Sequence, residues 1–285
     1  MIRIKSDKIV LGEALFDGYI YIDGEKISEV SKNAHPADEC YDFTGKFVSS
    51  GFIDMHTHGA GGFAFMNSTA EDVVSGCNFH LNHGTTSILP TVSAGAFSTM
   101  REAVKNIKAA MQSPDLKANI IGAHLEGPYL SAKQCGAQCP AFITPPIKED
   151  YEGLVEEMGD AIARWTYAPE YDTDAEFCRY LTEKDIVVSA GHTDAKYPDM
   201  KKAYDEGCML VTHLYSCTST VTREFGFRSL GVIESAYLLD DMFVEIIADG
   251  KHLPLESPDV GSFTPSTSFI HSNITFVSFT LRVLM

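Results

Sequence analysis

The stretch Gly51-Phe52-Ile53-Asp54-Met55-His56-Thr57-His58-Gly59 is the part of this 285-residue sequence from which the fold can be worked out. Its apolar residues predict a β-strand, with two histidines two positions apart at the strand end. Side chains two apart on a strand project from the same face, so both imidazoles can bind one metal ion. A His-x-His pair alone is as often structural as functional, so its meaning depends on the other strands.

Short apolar segments alternate with amphipathic helical segments after Phe47, a pattern typical of βαβ units around a parallel sheet. Helices are predicted at residues 98–111 and 175–184. Seven strands are predicted, at residues 48–55, 86–92, 120–125, 164–168, 186–190, 209–213 and 244–248. A closed barrel of this kind normally needs eight strands. The predicted fold class is therefore α/β, a (β/α)8 TIM-like barrel whose eighth strand is missing.

The chain is predicted to have three parts. Residues 1–47 alternate apolar and polar around a turn at Asp23-Gly24, and we assign them to a small N-terminal β-sandwich-type domain. Residues 48–253 form the barrel, strands one to seven. Residues 254–285 are an atypical tail, rich in Ser, Thr and Phe and interrupted by prolines, in which no amphipathic helix can be drawn.

Charge and composition exclude several classes of partner. The formal net charge of -17 argues against nucleic acid and anionic membranes, because both present dense negative charge. The first residues resemble neither a secretory signal nor a membrane anchor, so we expect a cytoplasmic protein. The seven cysteines are odd in number and scattered, which favours reduced thiols. Cys135 and Cys139 are interpreted as two loop thiols, since zinc sites need a second ligand pair.

Three further strand ends carry residues that bind metals. The third strand ends in His124-Leu125-Glu126-Gly127-Pro128, the fifth in Gly191-His192-Thr193-Asp194 and the sixth in Thr212-His213-Leu214. The carboxyl ends of barrel strands meet at one rim, so these side chains are predicted to converge with His56 and His58. Imidazoles and a carboxylate bind divalent ions that activate water for attack on an amide. For His124, which faces the barrel interior, a role in the site is left open.

These blocks, with Ala248-Asp249-Gly250-Lys251-His252, resemble those of the N-acetylglucosamine-6-phosphate deacetylases of the amidohydrolase superfamily. The resemblance extends from the N-terminus to about Pro254. It implies a metal-dependent hydrolase barrel that converts N-acetylglucosamine 6-phosphate to glucosamine 6-phosphate and acetate with a metal-activated water, in amino-sugar catabolism. It also implies that the chain binds a small phosphorylated amino sugar. A homodimer is expected on the same ground.

The resemblance implies a division of the metal ligands. Glu126, His192 and His213 would hold the main ion, and His56 and His58 would hold a second ion where two are bound. The ion is divalent: zinc, iron, manganese or cobalt, one or two per subunit.

Five positions match residues that contact the substrate in this family. Arg223 matches an arginine that binds the sugar phosphate, a role that suits the guanidinium group, although without the family it reads equally as a surface arginine. His252 matches a histidine on the loop after strand seven. Gln138 occupies a position where some members carry histidine. Ser216 and Cys217 stand where many members have Asn-Ala, and we interpret both as lining the pocket.

The sequence departs from the family after residue 254. Members end their eighth strand with an aspartate that serves as general base, and no such block is present here; Asp259 is too close to His252 to replace it. No catalytic residue is therefore identified. We expect a C-terminally truncated or frame-shifted chain with weak or no deacetylation and poor solubility. The alternatives are an amidohydrolase acting on another N-acyl or cyclic amide, or a non-catalytic metal-binding remnant.

Overall fold

The structure is a computed structural model that describes residues 1–12, 14–247, 249 and 251–253. The chain divides into two compact units, Met1–Phe52 and a larger one that begins at Ile53. The predicted tail, residues 254–285, and with it the predicted loss of an eighth strand, lies outside the described residues. In the part of the chain that is described, no helix combines the length and the apolar character needed to cross a membrane.

The first unit is a small β domain, as predicted. It consists of a single mixed sheet in which β1, β2 and β3 are antiparallel, whereas β4 and β5 run parallel to β1. The predicted turn at Asp23-Gly24 joins β2 to β3, and Gly24 has the positive φ of 60° that such a turn requires. The five strands are β1 (Ile2–Leu11), β2 (Ala14–Asp23), β3 (Lys26–Ser31), β4 (Glu39–Asp42) and β5 (Phe47–Val48).

The second unit is built on a curled sheet of parallel barrel strands with helices on its outside. Its strand order is β6-β9-β11-β12-β13-β14-β17, and β10 also pairs with β9. Because β10 and β11 both pair with β9, they are two segments of one barrel position, and the sheet has seven such positions among the described residues. The strands are β6 (Phe52–Thr57), β9 (Thr85–Ser93), β10 (Asn119–Ile120), β11 (Ala123–Glu126), β12 (Ile162–Tyr167), β13 (Val187–Ala190), β14 (Leu210–Val211) and β17 (Phe243–Val244).

Six helices and two small hairpins lie between the barrel strands. The hairpins are β7 (Gly59–Ala60) with β8 (Phe63–Ala64), and β15 (Thr222–Glu224) with β16 (Phe227–Ser229). The predicted helices 98–111 and 175–184 are confirmed with small shifts at their ends. The helices are α1 (Ala70–Leu81), α2 (Phe97–Ala110), α3 (Lys148–Met158), α4 (Glu176–Glu183), α5 (Tyr197–Asp205) and α6 (Val232–Leu238).

One predicted strand is wrong at its start. Residues 48–55 were expected to form the first barrel strand, but Val48 pairs with Ile9 of β1 in the small domain. The barrel strand starts at Phe52. The residues between them, Ser49-Ser50-Gly51, interrupt the apolar run, and an apolar pattern does not tell which sheet a residue will join.

Apolar and polar residues alternate along the barrel strands. The apolar residues face outward and pack against the helices, and the polar residues face the barrel interior. Helix α2 buries Met100, Ala103, Val104, Ile107 and Ala110, a spacing that gives the helix one apolar face. These residues belong to the core that also contains the outward-facing strand residues. The intervening residues, on the strands or just after them, face the barrel interior, and several are buried and polar: Thr91, His124, Glu126, Arg164, Thr166, Ser189 and Thr212. The interior therefore contains hydrogen-bonding groups directly below the strand ends.

Candidate metal centre

Side chains from four strand ends meet in one cavity of about 730 Å³. His56 is on β6, with His58 just after it, and Glu126 ends β11. His192 and His213 follow β13 and β14. Two groups of potential metal ligands share Glu126, and we call them the buried cluster (Glu126, His192 and His213) and the rim cluster (His56, His58 and Glu126). The structure thus brings together all five residues that the sequence predicted as ligands.

In the buried cluster, three donor atoms point at one another. Glu126 Oε1 lies 3.0 Å from His192 Nε2 and 3.1 Å from His213 Nε2, and the two Nε2 atoms are 3.1 Å apart. The Nδ1 atoms lie 2.9 Å from the carbonyl oxygens of Gln134 and Ser216, respectively. A carbonyl only accepts, so each Nδ1 carries a proton, and the neutral ring then has its lone pair on Nε2.

Two lone pairs facing each other at this distance repel unless a proton or a metal ion lies between them. A carboxylate and two buried imidazoles with fixed tautomers are the donor set that divalent transition metals favour. The buried cluster therefore fits a metal ion on the evidence of its own geometry.

The backbone around the buried cluster is shaped to aim the two rings inward. His192 has a φ of 46° and His213 a φ of 31°, values that non-glycine residues rarely adopt. At Gly191, a Cβ would lie 2.7 Å from Thr166 Cγ2 and from Thr212 Cβ, so only glycine allows this close approach. Strained backbone of this kind persists where the surroundings enforce it, which is common at functional sites.

In the rim cluster, the imidazoles approach Glu126 from the other side. His56 Nε2 lies 3.3 Å from Glu126 Oε1, and His58 Nε2 lies 3.2 Å from Glu126 Oε2. His56 Nδ1 lies 2.8 Å from Glu245 Oε1, and His58 Nδ1 lies 2.9 Å from Ser93 Oγ. The His58 side chain is 47% exposed. Burial lowers the pKa of His56, but the charges of Glu126 and Glu245 outweigh it and raise the pKa to about 9.

Gln138 holds the Glu126 carboxylate in place. Its Nε2 donates to Glu126 Oε2 at 2.6 Å, and its Oε1 accepts from the backbone N–H of Ala94 at 2.9 Å. Gln138 is buried, yet it also lines the cavity. Its amide is thus already bonded within the protein, and the contact with a substrate that the resemblance implied stays a prediction.

The other predicted substrate residues divide into two groups. Ser216, Cys217 and His252 line the cavity, and His252 Nδ1 lies 3.0 Å from Asp249 Oδ2. Arg223 lies on β15, is exposed, and is not among the residues that line the cavity. The role predicted for Arg223 in binding phosphate stays a prediction.

His124 is a structural residue of the barrel interior. Its Nδ1 lies 3.1 Å from Thr91 Oγ1 and its Nε2 lies 2.7 Å from Thr166 Oγ1, and the side chain is fully buried. Burial and the nearby Arg164 charge keep its pKa well below the usual value. Both ring nitrogens are thus bonded to hydroxyl groups, and His124 is in neither group of potential metal ligands.

Two charged residues of the site were not singled out from the sequence. Arg164 on β12 and Glu245, just after β17, are 1% and 0% exposed and form an ion pair of 2.5 Å between Nη1 and Oε2. Burial raises the pKa of Glu245, but Arg164 and His56 outweigh it and lower the pKa to about 2. The available signal was a charged residue inside each of two apolar strands, because such residues are almost never fully buried unless paired.

Comparison with known proteins agrees with this geometry. The sequence profile of the Amidohydrolase family matches residues 47–272. The N-acetylglucosamine-6-phosphate deacetylase of Bacillus subtilis is 35% identical over 246 residues, which are 84% of this chain and 61% of that protein. The human protein of the same name is 29% identical over 269 residues, 88% of this chain and 64% of that protein. The chain thus spans about three fifths of the length of the curated relatives it matches.

Solved structures give the same result. The N-acetyl-D-glucosamine-6-phosphate deacetylase of Mycobacterium smegmatis superposes with a TM-score of 0.79 and 26% identity, covering 89% of this chain and 70% of that one. A mutant of that enzyme has been solved in complex with N-acetyl-D-glucosamine-6-phosphate. Members of the Amidohydrolase family are metal-dependent hydrolases, in agreement with the His and Glu clusters found here. The chain therefore belongs to the amidohydrolase family.

Proposed function

We propose that this protein binds one or two divalent metal ions and hydrolyses N-acetylglucosamine 6-phosphate to glucosamine 6-phosphate and acetate. The observation that carries the proposal is the buried cluster, in which two imidazole Nε2 atoms and one carboxylate oxygen lie about 3 Å from one another. This arrangement calls for positive charge between the three donor atoms, and a bound metal ion would supply it. The names of the relatives support the substrate, which this cavity can accommodate.

The residues of the chain have separate tasks in this proposal. Glu126, His192 and His213 would hold the first ion, and His56 and His58 would hold a second ion together with Glu126. When bound, such an ion polarises the amide carbonyl and lowers the pKa of a water molecule. Imidazole and carboxylate ligands suit zinc, iron, manganese and cobalt.

The cavity wall supplies the groups that would bind the substrate. Lys251 and His252 lie on this wall, where an ammonium group and a ring N–H can donate hydrogen bonds to a phosphate. Ser216 and Cys217 lie on it as well, next to the rings of the buried cluster. Among the described residues, the carboxylates that line the cavity are Glu126, Glu245 and Asp249. Each is already bonded to a histidine, so none is assigned as the general base.

A second candidate function is hydrolysis of another N-acyl or cyclic amide without a phosphate. It is favoured by the position of Arg223, which lies on an exposed hairpin outside the cavity lining. If Arg223 takes no part, Lys251 and His252 would have to provide the preference for a phosphorylated sugar.

The test is acetate release by the full chain after loading with zinc, manganese, cobalt or iron(II). N-acetylglucosamine 6-phosphate and N-acetylglucosamine are compared, with the Glu126→Ala variant as negative control. The exposed Glu102 on α2 provides the matched control variant, Glu102→Gln. Release from the phosphorylated sugar alone supports the proposal. Equal release from both sugars favours the second candidate, and metal binding without turnover of either would identify a non-catalytic metal-binding protein.

The homodimer and the cytoplasmic location remain predictions. Sedimentation of the purified chain measures the first, and fractionation of cells measures the second. Neither result bears on the chemistry of the cavity.

A further inference from the structure

We propose that Glu245, paired with Arg164, is the positioning residue that makes His56 a metal ligand and thereby controls binding of a second ion. The inference rests on the metal-binding part of the proposed function. It concerns how the rim cluster is organised, and it requires no knowledge of the substrate.

The two carboxylate oxygens of Glu245 have different partners. Oε1 lies 2.8 Å from His56 Nδ1, and Oε2 accepts from Arg164 Nη1 at 2.5 Å. Glu245 is fully buried, so neither contact is shared with bulk solvent. The carboxylate therefore links a fixed guanidinium group to one side of the His56 ring.

Arg164 is fixed by groups on β13, on β6 and just after β14. Its Nε donates to Ser189 Oγ at 3.1 Å and its Nη2 donates to Thr212 Oγ1 at 2.7 Å. Its Nη1 also lies 3.4 Å from the carbonyl oxygen of Met55, next to His56 on β6. A planar guanidinium group with this many partners has one orientation, and it holds Glu245 in one orientation in turn.

The consequence for His56 follows from its tautomer. A proton on Nδ1 is shared with Glu245 Oε1, so Nε2 is the atom directed towards Glu126, from which it is 3.3 Å away. A carboxylate behind a ligating imidazole fixes the ring and makes its free nitrogen more basic. His58 has the neutral hydroxyl of Ser93 behind it instead, at 2.9 Å. Of the two rim histidines, His56 thus has the stronger outer partner.

The buried cluster does not depend on Glu245 in this way. His192 and His213 donate from Nδ1 to backbone carbonyl oxygens of Gln134 and Ser216. Removing the Glu245 charge should therefore weaken the rim position selectively. A role that is only structural would affect both positions together.

The experiment is titration of the metal-free full chain with cobalt(II), followed by visible absorbance and by competition with a chelator. For Glu245→Gln we expect the second ion to bind about 10- to 100-fold more weakly, the usual effect of losing an outer partner of a ligating histidine. The first ion should bind within about twofold of wild type. Glu245→Asp keeps the charge and should recover part of the loss. Circular dichroism checks that the variants are folded.

Two further variants keep the proposal falsifiable. If Glu245→Gln does not fold because Arg164 is left buried without a counterion, the double variant Arg164→Met/Glu245→Gln removes both charges, and the same selective loss is expected. In a His56→Ala background, Glu245→Gln should cause no additional loss of the second ion, because the two residues act as a unit.

Several results would overturn the proposal. They are unchanged binding of both ions in Glu245→Gln, equal loss of both ions from a folded variant, and a wild-type chain that binds only one ion. None of these depends on deacetylation, so failure of this inference can be told apart from failure of the proposed function.

Discussion

The two sides of Glu126 are built differently. In the buried cluster, backbone carbonyl oxygens hold the Nδ1 atoms of His192 and His213. In the rim cluster, side chains hold the corresponding atoms: Glu245 for His56 and Ser93 for His58. The buried ligands are shielded from solvent, whereas the side chain of His58 is half exposed.

This difference has a consequence for metal binding. Backbone carbonyls are part of the fold, so the buried cluster is organised wherever the barrel forms. The rim cluster depends on individual side chains, and single substitutions can weaken it. We therefore expect one tightly bound ion and a second ion whose affinity is lower and easier to change.

Removal of Glu126 should have the largest effect, because both clusters share it. In Glu126→Ala, bound metal should fall to background, and any acetate release should fall by about 10³-fold or more, since a catalytic ion supplies several kcal/mol. Metal analysis after gel filtration measures the bound metal, with Glu102→Gln as control. Retention of one ion by Glu126→Ala would show that the clusters do not share this ligand.

Single histidine variants should separate the two sides. His192→Ala removes one ligand of the buried cluster and should weaken the tighter ion about 100-fold, taking roughly 3 kcal/mol for each ligand of a zinc site. His58→Ala should leave the tighter ion unchanged and weaken only the second. Competition with chelators of graded affinity measures both constants. Equal effects of the two variants would show that the sides are not distinct.

Gln138 allows a smaller test on stability. Gln138→Leu leaves the buried backbone N–H of Ala94 without its acceptor and removes a donor from Glu126. The free energy of unfolding should fall by about 1–3 kcal/mol, the cost of an unsatisfied buried group. Urea denaturation measures it. The exposed Gln112 is the control, and Gln112→Leu should change stability by less than about 0.5 kcal/mol. If Gln138→Leu lowers the free energy of unfolding by no more than Gln112→Leu does, the role given to the Gln138 amide is wrong.

Much of the fold was accessible from sequence because it depends on local patterns. The amphipathic spacing of α2 and the apolar runs of the strands are local signals, and the predicted seven strand positions are found. The His-x-His motif at the end of β6 predicted two rings on one face, and both rings contact Glu126. Where two sheets compete for one segment, as at residues 47–57, local pattern was insufficient.

The supporting contacts of the site were not accessible in the same way. Arg164 and Glu245 are 81 positions apart, and their meeting depends on how strands far apart in the sequence align around the barrel. Gln138 was recognised as a pocket residue, but its two partners, Glu126 and Ala94, follow from a loop conformation that no periodicity encodes. Arg223 matches a family position but is not among the residues that line the cavity, and its role in binding phosphate stays a prediction.

A calorimetric titration of zinc into the metal-free chain, repeated for His192→Ala and His58→Ala, measures whether the two clusters bind separate ions with unequal affinity. We expect two ions bound in two steps by the wild-type chain, loss of the tighter step in His192→Ala, and loss of the weaker step alone in His58→Ala. A single step in the wild-type chain, or the same residual step in both variants, would contradict two unequally organised clusters that share Glu126.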